Sequence, residues 1–316
     1  MLSRFIVGLV ASLFFAGVAL SATPGRPFVG ATFTSNKIVV VDAAGKVEWE
    51  YEAPACMDVW VLPNGNFLYS SRSKGIIELT REKKVVWEYK TAGETYTCQR
   101  LPNGRTLIGD NKNGRLIEVD TEGKIQREIK LQTAAKEHGM IRTARWLTGD
   151  HYLVCQREDN IVREYDADAK VVWEYKTGGP MTAVRLSNKN TLITNAAGEV
   201  VEVTPEGKEV WGFRAKDYPA NVKGKAYGVQ RLANGNTAIC CQGSVLEVTP
   251  EKKVLWVTQV PNLMGFQLLD EKGDALKGDT ADAVVALQQQ LPHSRIVFGS
   301  SRARASSPFF RRASPA

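Results

Sequence analysis

Short apolar runs along this chain alternate with polar turns, and the turns resemble one another. A leucine that opens such a turn occurs six times, in LPNGN at Leu62, LPNGR at Leu101, LTGDH at Leu147, LSNKN at Leu186, LANGN at Leu232 and LDEKG at Leu269. Asn-Gly turns between apolar runs are strong hairpin signals, because glycine and asparagine tolerate the positive φ that tight hairpin turns require. The pattern therefore predicts pairs of antiparallel strands.

A second phrase lies between these turns and usually carries tryptophan. It reads VDAAGKVEWEY, LTREKKVVWEY, VDTEGKIQREI, YDADAKVVWEY, VTPEGKEVWGF and VTPEKKVLWVT. The tryptophans are Trp49, Trp87, Trp173, Trp211 and Trp256, and Arg127 stands in the remaining copy. A repeat of about 40 residues built from short strands is typical of a β-propeller with four strands to a blade. The sequence thus predicts an all-β fold, a six-bladed β-propeller.

The two ends of the repeat region predict how the ring closes. The repeats begin with three strands, roughly Pro27 to Thr34, Lys37 to Asp42 and Lys46 to Tyr51, and no inner strand precedes them. They end with a lone inner strand, Met264 to Leu269. We expect this C-terminal strand to pair with the N-terminal strands, which removes two exposed sheet edges.

Two kinds of residue recur at one place in the repeat and are interpreted as structural. The third strand of five repeats carries Glu78, Glu118, Glu164, Glu202 and Glu247. A residue present in almost every blade is more readily explained by blade packing than by catalysis. The tryptophans are expected to wedge between neighbouring blades, with each indole N–H finding an acceptor.

The ends of the chain differ from the repeats. Residues 1–22 read as a signal peptide, with Arg4 before an apolar run; a membrane anchor is the alternative, but the run is short for a span of about 20 residues. Residues 23–274 form the predicted propeller, and residues 275–316 a C-terminal extension, largely a disordered basic tail. We therefore expect a secreted or periplasmic protein with no integral membrane span after signal cleavage.

The positive charge is concentrated outside the repeats. The formal net charge is +7, but Arg4 and the five arginines between Ser294 and Ala316 account for most of it. A nearly neutral repeat region argues against a surface that follows nucleic-acid phosphates. Nucleic acid is thus not an expected partner.

Five cysteines in an exported chain raise the question of disulfides. Cys56 and Cys98 lie near the starts of neighbouring inner strands, and we predict a disulfide between them, which requires their Cα atoms to lie within about 7 Å. Cys155 and Cys240 share a repeat position that otherwise holds Ser70, Gly109 and Thr194. Small residues in that position indicate buried thiols at a tight packing site.

The alternation of LPNGN turns with GKVVWEY-like strands resembles bacterial propellers of the pyrroloquinoline-quinone-like repeat group and the arylsulfotransferase propeller. The resemblance covers about residues 27 to 270, and such groups include quinone dehydrogenases, outer-membrane assembly scaffolds and proteins of unknown role. In the sulfotransferases a His-His-Asp cluster precedes the LPNGN turn; the matching stretch here runs from Cys56 to Leu62, and only Asp58 matches. Quinone dehydrogenases use eight blades and a calcium site, which this sequence lacks. The resemblance implies a non-catalytic relative, since fold membership does not transfer activity.

A site is expected where the inner strands begin. The fifth residue before each turn leucine is large, and the fourth is mostly small and polar, so these positions should ring the mouth of the central channel. A longer loop before Leu147 adds His138 and, just after it, Arg145, because features found once carry function more often than repeated ones. The candidate ligand-binding residues are Asp58, Tyr96, His138, Arg142, Arg145, Met181 and Tyr227.

The sequence predicts no catalytic residue set, no metal site and no cofactor. The leading hypothesis is a monomeric, exported propeller that binds a small molecule or a partner protein on its loop face, or serves as a scaffold. The alternative is a degenerate arylsulfotransferase-like or other propeller enzyme with a site at the channel mouth that uses Asp58, His138 and Arg142.

Overall fold

A computed structural model describes residues 24 to 280 except residues 137 and 223. These residues form six four-stranded antiparallel sheets, the blades of a six-bladed propeller. Apart from one 3-10 turn, Ala215–Asp217, the described range contains no helix, and so no helix long and apolar enough to cross a membrane. The expected signal peptide, the basic tail from residue 281 onward and residue 223 lie outside the described residues.

The blades follow one another along the chain, and all but the first run from the inner to the outer strand. Blade 1 consists of β24 (Leu263–Leu268), β1 (Phe28–Thr32), β2 (Lys37–Val41) and β3 (Val47–Glu52). Blade 2 consists of β4 (Cys56–Val61), β5 (Phe67–Ser71), β6 (Gly75–Leu79) and β7 (Val85–Tyr89). Blade 3 consists of β8 (Cys98–Arg100), β9 (Thr106–Asp110), β10 (Arg115–Val119) and β11 (Ile125–Lys130).

The second half of the ring repeats the same order. Blade 4 consists of β12 (Thr143–Leu147), β13 (His151–Gln156), β14 (Ile161–Tyr165) and β15 (Val171–Lys176). Blade 5 consists of β16 (Pro180–Arg185), β17 (Thr191–Asn195), β18 (Val200–Val203) and β19 (Glu209–Phe213). Blade 6 consists of β20 (Ala226–Arg231), β21 (Thr237–Cys241), β22 (Ser244–Val248) and β23 (Val254–Gln259).

The ring closes through a composite blade, as the sequence predicts. Strand β24 pairs with β1 from Phe28 opposite Leu268 to Thr32 opposite Leu263. The strand nearest the C-terminus thereby covers the edge of the strand nearest the N-terminus. Six turn leucines therefore correspond to six blades, five continuous and one shared.

The tryptophans lie between blades, which confirms their structural interpretation. Four indole N–H groups donate to a backbone carbonyl of the next blade: Trp49 to Arg81, Trp87 to Thr121, Trp173 to Pro205 and Trp211 to Pro250, over 2.7–3.0 Å. In blade 3, where the tryptophan is missing, Arg127 reaches blade 4 instead, with Nη1 2.9 Å from Asp150. A guanidinium thus replaces an indole in the same inter-blade role.

The recurring glutamates also join blades. Glu78, Glu164 and Glu202 each pair with the arginine that ends the inner strand of the following blade: Arg100, Arg185 and Arg231. Each of these arginines also lies over the tryptophan of the preceding blade, at 4.8–5.5 Å from the ring centroid. These glutamates are therefore packing residues, each engaged by a cation at an interface.

Candidate functional site

The inner strands are joined around the channel by side chains that bond to the next blade. Thr143 donates to the Met181 carbonyl at 3.0 Å, and Thr182 to the Tyr227 carbonyl at 2.6 Å. The remaining four joints are made by Gln267 with the Val61 amide, Trp60 with the Cys98 carbonyl, Gln99 with the Trp146 amide, and Gln230 with the Leu268 amide. Every blade interface at the channel thus has at least one such bond, and these joints fix the positions of the lining residues.

The backbones of blade 1 and blade 2 approach each other closely at Gly265 and Met57. A β-carbon at Gly265 would lie 2.3 Å from the Met57 carbonyl oxygen, closer than any real contact. Glycine is required here because the two backbones are nearly in contact. At Gly265, the small residue four positions before the turn leucine is therefore explained by the distance between the two blades.

One cavity of about 110 Å³ occupies the channel. Its wall combines polar and apolar side chains from the starts and middles of the inner strands. The lining includes Met57, Asp58, Trp60, Arg142, Thr143, Arg145, Thr182, Val184, Tyr227, Val229, Gln230, Met264, Phe266 and Gln267. The structure thus brings Asp58, Arg142, Arg145 and Tyr227, four of the seven candidate residues, to one cavity.

Asp58 and Arg145 form a buried ion pair. Arg145 Nη1 lies 2.9 Å from Oδ2 of Asp58 and Nη2 lies 3.2 Å from Oδ1. Oδ2 also accepts hydrogen bonds from the Thr97 hydroxyl and the Cys98 amide. The Arg145 guanidinium lies 4.7 Å from the Trp60 ring centroid. Asp58 is therefore a fully engaged structural carboxylate, which leaves it poorly suited to act as a general base.

Arg142 differs from Arg145 because no described residue pairs with it. Its side chain is buried, with 5% of the residue exposed, and Nη2 has no hydrogen-bond partner among the described residues. The guanidinium lies between Tyr96, at 6.0 Å, and Tyr227, at 5.6 Å from the ring centroids. Burial lowers the pKa of Arg142. A buried cation whose guanidinium has no hydrogen-bonded acceptor is costly for the fold.

Tyr96 belongs to a group of bonded side chains near the start of the inner strands, here called the rim cluster, which also contains Arg72, Glu94 and His138. Its hydroxyl donates to Glu94, which also pairs with Arg72, and His138 Nδ1 lies 3.0 Å from the hydroxyl and 2.9 Å from Glu94 Oε2. Burial tends to raise the pKa of Glu94, but hydrogen bonds from Tyr96, Arg72 and His138 outweigh it and lower the pKa to about 2. Burial, followed by the bond to Glu94, raises the pKa of Tyr96.

Tyr96, His138 and Met181 are not among the residues that line the cavity. The His138 side chain is 63% exposed and is held on the rim by Glu94 and Tyr96. Met181 is buried in the hydrophobic cluster that also contains Tyr227, and its carbonyl serves the joint to Thr143. Sequence reasoning missed Glu94, whose only signal was its place in a loop next to Tyr96.

A segment of residues 274–280, here called the C-terminal strap, lies across the other end of the channel. It bonds in turn to blade 1, blade 6 and blade 5, through Leu276 N to Leu268 O at 2.8 Å, Asp279 N to Arg231 O at 2.9 Å and Ser187 N to Asp279 Oδ1 at 3.2 Å. Ala275, Leu276, Lys277, Gly278 and Thr280 line the cavity. Residues of the expected C-terminal extension therefore contact blades 1, 5 and 6.

The expected disulfide between Cys56 and Cys98 is wrong. All five cysteines are free and buried. Cys56 directs its thiol at the Lys37 carbonyl, 3.1 Å away, on the blade 1 side, whereas Cys98 packs in a separate cluster with Leu62 and Ile108. The two thiols belong to the cores of different interfaces. Cys155 and Cys240 are fully buried, which confirms their interpretation as packing residues.

No cluster of three or more His, Cys, Asp or Glu side chains suited to a metal ion occurs among residues 24 to 280, the two gaps excepted.

The repeats of this chain match a known protein family. Residues 102–272, more than half of the sequence, match the repeat family described as outer membrane protein assembly factor BamB. The chain belongs to this BamB-like family of β-propellers. No curated protein matches the chain.

Solved structures share the fold. A protein of unknown function from Bacteroides caccae is 23% identical with a TM-score of 0.68, over 77% of this chain and 98% of that one. A streptogramin B lyase structure is 14% identical with a TM-score of 0.56, over 83% and 93% of the two chains. A catalytically inactive virginiamycin B lyase from Staphylococcus aureus with quinupristin is 15% identical with a TM-score of 0.53, over 77% and 86%. At these identities the likeness concerns the fold alone.

Proposed function

We propose that this BamB-like propeller is an exported, non-catalytic binding protein that takes an anionic group into its central channel at Arg142. The observation that carries the proposal is the buried guanidinium of Arg142, which faces the cavity without a described acceptor. A bound anion would supply the acceptors that the fold leaves out, and charge-assisted bonds in a dry site are strong. The site is narrow, so a small molecule fits it better than the surface of a protein.

The enzyme alternative is less favoured by the geometry. A general base needs a free basic atom in the site, but Asp58 already accepts bonds from Arg145, Thr97 and Cys98. His138, the histidine nearest to the channel, lies on the exposed rim beside Glu94. Neither residue is placed as the nucleophile or base of a transferase.

The test is ligand binding by wild type and by Arg142→Met, a variant of similar shape without charge. Thermal shift and calorimetry with acetate, benzoate, phosphate and sulfate should show saturable binding of at least one anion to wild type. The variant should lose this binding while its melting temperature stays equal or rises, because an uncompensated buried charge is removed. Arg214→Gln serves as the control, since Arg214 pairs with Glu209 away from the cavity.

Two outcomes would overturn the proposal. One is the absence of any Arg142-dependent anion binding. The other is turnover of sulfuryl or acyl donors that disappears in His138→Ala or Asp58→Asn while the fold is kept, which would favour the enzyme.

A further inference from the structure

The donors in the cavity limit the kind of anion that it can hold. The hydroxyls of Thr143 and Thr182 are engaged by carbonyls of the neighbouring blade, and Arg145 is engaged by Asp58. The other cation in the wall, Lys277, is exposed on the C-terminal strap at the opposite end of the cavity. This leaves the Arg142 guanidinium as the buried charged donor without an acceptor among the residues that line the cavity. One guanidinium edge matches the two oxygens of a carboxylate, whereas a phosphate or sulfate presents more oxygens than a single edge engages.

The charges around Arg142 also favour a single negative charge. Asp58 lies near enough to act electrostatically on Arg142, but Arg145 balances its charge, and Arg72 balances that of Glu94. These pairs leave one uncompensated positive charge, on Arg142, which a single negative charge on the ligand balances. A second negative charge would stay unpaired in a buried site, which is costly. The site is therefore suited to a monoanion.

The middle of the cavity has apolar side chains in its wall, and the polar Gln230 and Gln267 beside them bond to backbone groups. Val184, Val229 and Phe266 line its sides. Leu276 of the C-terminal strap contributes to the wall at the opposite end from the mouth. A ligand that fills this space needs an apolar body, because a polar one would lose its bonds to water without replacement.

The volume sets the size of that body. The cavity measures about 110 Å³, and a dry apolar cavity of about 150 Å³ is known to hold benzene. The space therefore suits a short branched chain or, with some of the ring toward the mouth, one aromatic ring. A long acyl chain or a fused ring system exceeds it.

We propose that the channel binds a small monocarboxylic acid with a compact apolar body, its carboxylate on Arg142 and its body toward Leu276. This inference rests on the proposed function, because it names the class of anion for the same site. Short branched aliphatic acids and single-ring aromatic acids both have a carboxylate and a compact apolar body. The probes below distinguish these two classes of acid.

The experiment compares matched probes on the full-length protein by calorimetry in a low-chloride buffer. Isovalerate carries the branched aliphatic body and benzoate the aromatic body. Acetate has the carboxylate with almost no body, whereas isoamyl alcohol and benzyl alcohol have the bodies without the charge. Phenyl phosphate carries the aromatic body with a doubly charged group. We expect isovalerate or benzoate to bind at least tenfold more tightly than acetate and phenyl phosphate, with no binding of the alcohols. Arg142→Met should weaken the binding of the best acid at least a hundredfold.

A second variant tests the apolar end. Leu276→Trp fills the cavity from the strap and should abolish binding of the branched or aromatic acid while acetate still binds as to wild type; melting temperature verifies that the variant folds. Tighter Arg142-dependent binding of phenyl phosphate, inorganic phosphate or sulfate would overturn this inference and leave the proposed function standing. Binding of the acids that is unchanged by both substitutions would also overturn it, and the absence of any anion binding would overturn both.

Discussion

Arg145 of blade 4 pairs with Asp58 of blade 2 through two hydrogen bonds, and the inner strand of blade 3 lies between them along the ring. The pair thus joins blades that are not neighbours. Both side chains are nearly buried, with 8% and 10% exposed. The two arginines of the cavity therefore differ: Arg145 is held in a structural ion pair, whereas the Arg142 guanidinium has no paired carboxylate among the described residues.

Removing one partner of this pair should destabilise the ring. We expect Asp58→Ala to lower the free energy of unfolding by about 3–5 kcal/mol, because Arg145 is left as an uncompensated buried charge. Denaturant unfolding measures the change. Glu50→Gln is the matched control: its partner Lys37 is 45% exposed and Glu50 is 51% exposed, so the change should stay below about 1 kcal/mol. Equal effects of the two variants would contradict this account.

The close approach of the backbones of blades 1 and 2 predicts a second effect. Gly265→Ala should lower stability by about 1–3 kcal/mol, because its methyl group would overlap the Met57 carbonyl and push blades 1 and 2 apart. Gly178→Ala is the control, since a β-carbon there meets nothing within 4 Å. Thermal unfolding of both variants checks the prediction. A neutral Gly265→Ala variant would show that the interface adjusts more readily than the contact indicates.

Ring closure predicts opposite results for two truncations. Deletion of residues 263–316 removes β24 and exposes the edge of β1, so the whole ring should lose cooperative unfolding. Deletion of residues 294–316 should leave the melting temperature unchanged. Thermal unfolding of both truncated proteins, followed by circular dichroism, tests this prediction. A stable ring without β24 would refute the closure argument.

The cysteines should behave as inert thiols in the folded protein. Burial raises the pKa of Cys56 and of Cys155 to about 12 and that of Cys241 to about 11, so little thiolate forms near neutral pH. Iodoacetamide at pH 8 should modify none of the five thiols without denaturant and all five in its presence. Non-reducing peptide mapping that finds Cys56 linked to Cys98 would contradict the structure.

Acid should weaken the rim cluster through Glu94. Its ordinary pKa of 4.5 falls to about 2 in the fold, so its contribution to stability is complete above about pH 5 and is lost as the pH drops toward 2. Glu94→Gln should therefore reduce the loss of stability of the protein between pH 5 and pH 2. Glu88→Gln, on the exposed outer strand β7, should leave the wild-type profile. A Glu94→Gln profile equal to wild type would contradict the lowered pKa.

The repeat pattern was sufficient to predict the blades, because each strand's alternation and each turn is encoded locally. It also predicted the closing strand β24 and the tryptophan wedges, since both follow from positions that recur. Asp58, Arg142 and Tyr227 were chosen because they occupy recurring positions at the starts of the inner strands, and Arg145 because it follows the longer loop before Leu147; all four line one cavity.

What the sequence did not reveal are contacts between side chains from different blades. The Asp58 to Arg145 pair and the bond from Tyr96 to Glu94 depend on distances across the ring, which no local pattern encodes. The wrong disulfide has the same origin, because Cys56 and Cys98 lie at similar places in the repeat while their thiols enter different cores. The strap was missed because its contacts with blades 5 and 6 follow from tertiary packing after the last repeat.

The composite blade has a consequence for folding during synthesis. Phe28 cannot pair with Leu268 until nearly the whole described chain has been synthesised. The edge of β1 therefore stays unpaired while blades 2 to 6 form. Contacts this distant in sequence form late and slowly, and an open strand edge invites pairing with other chains in the meantime. The last inner strand thus determines when the molecule stops being prone to aggregation.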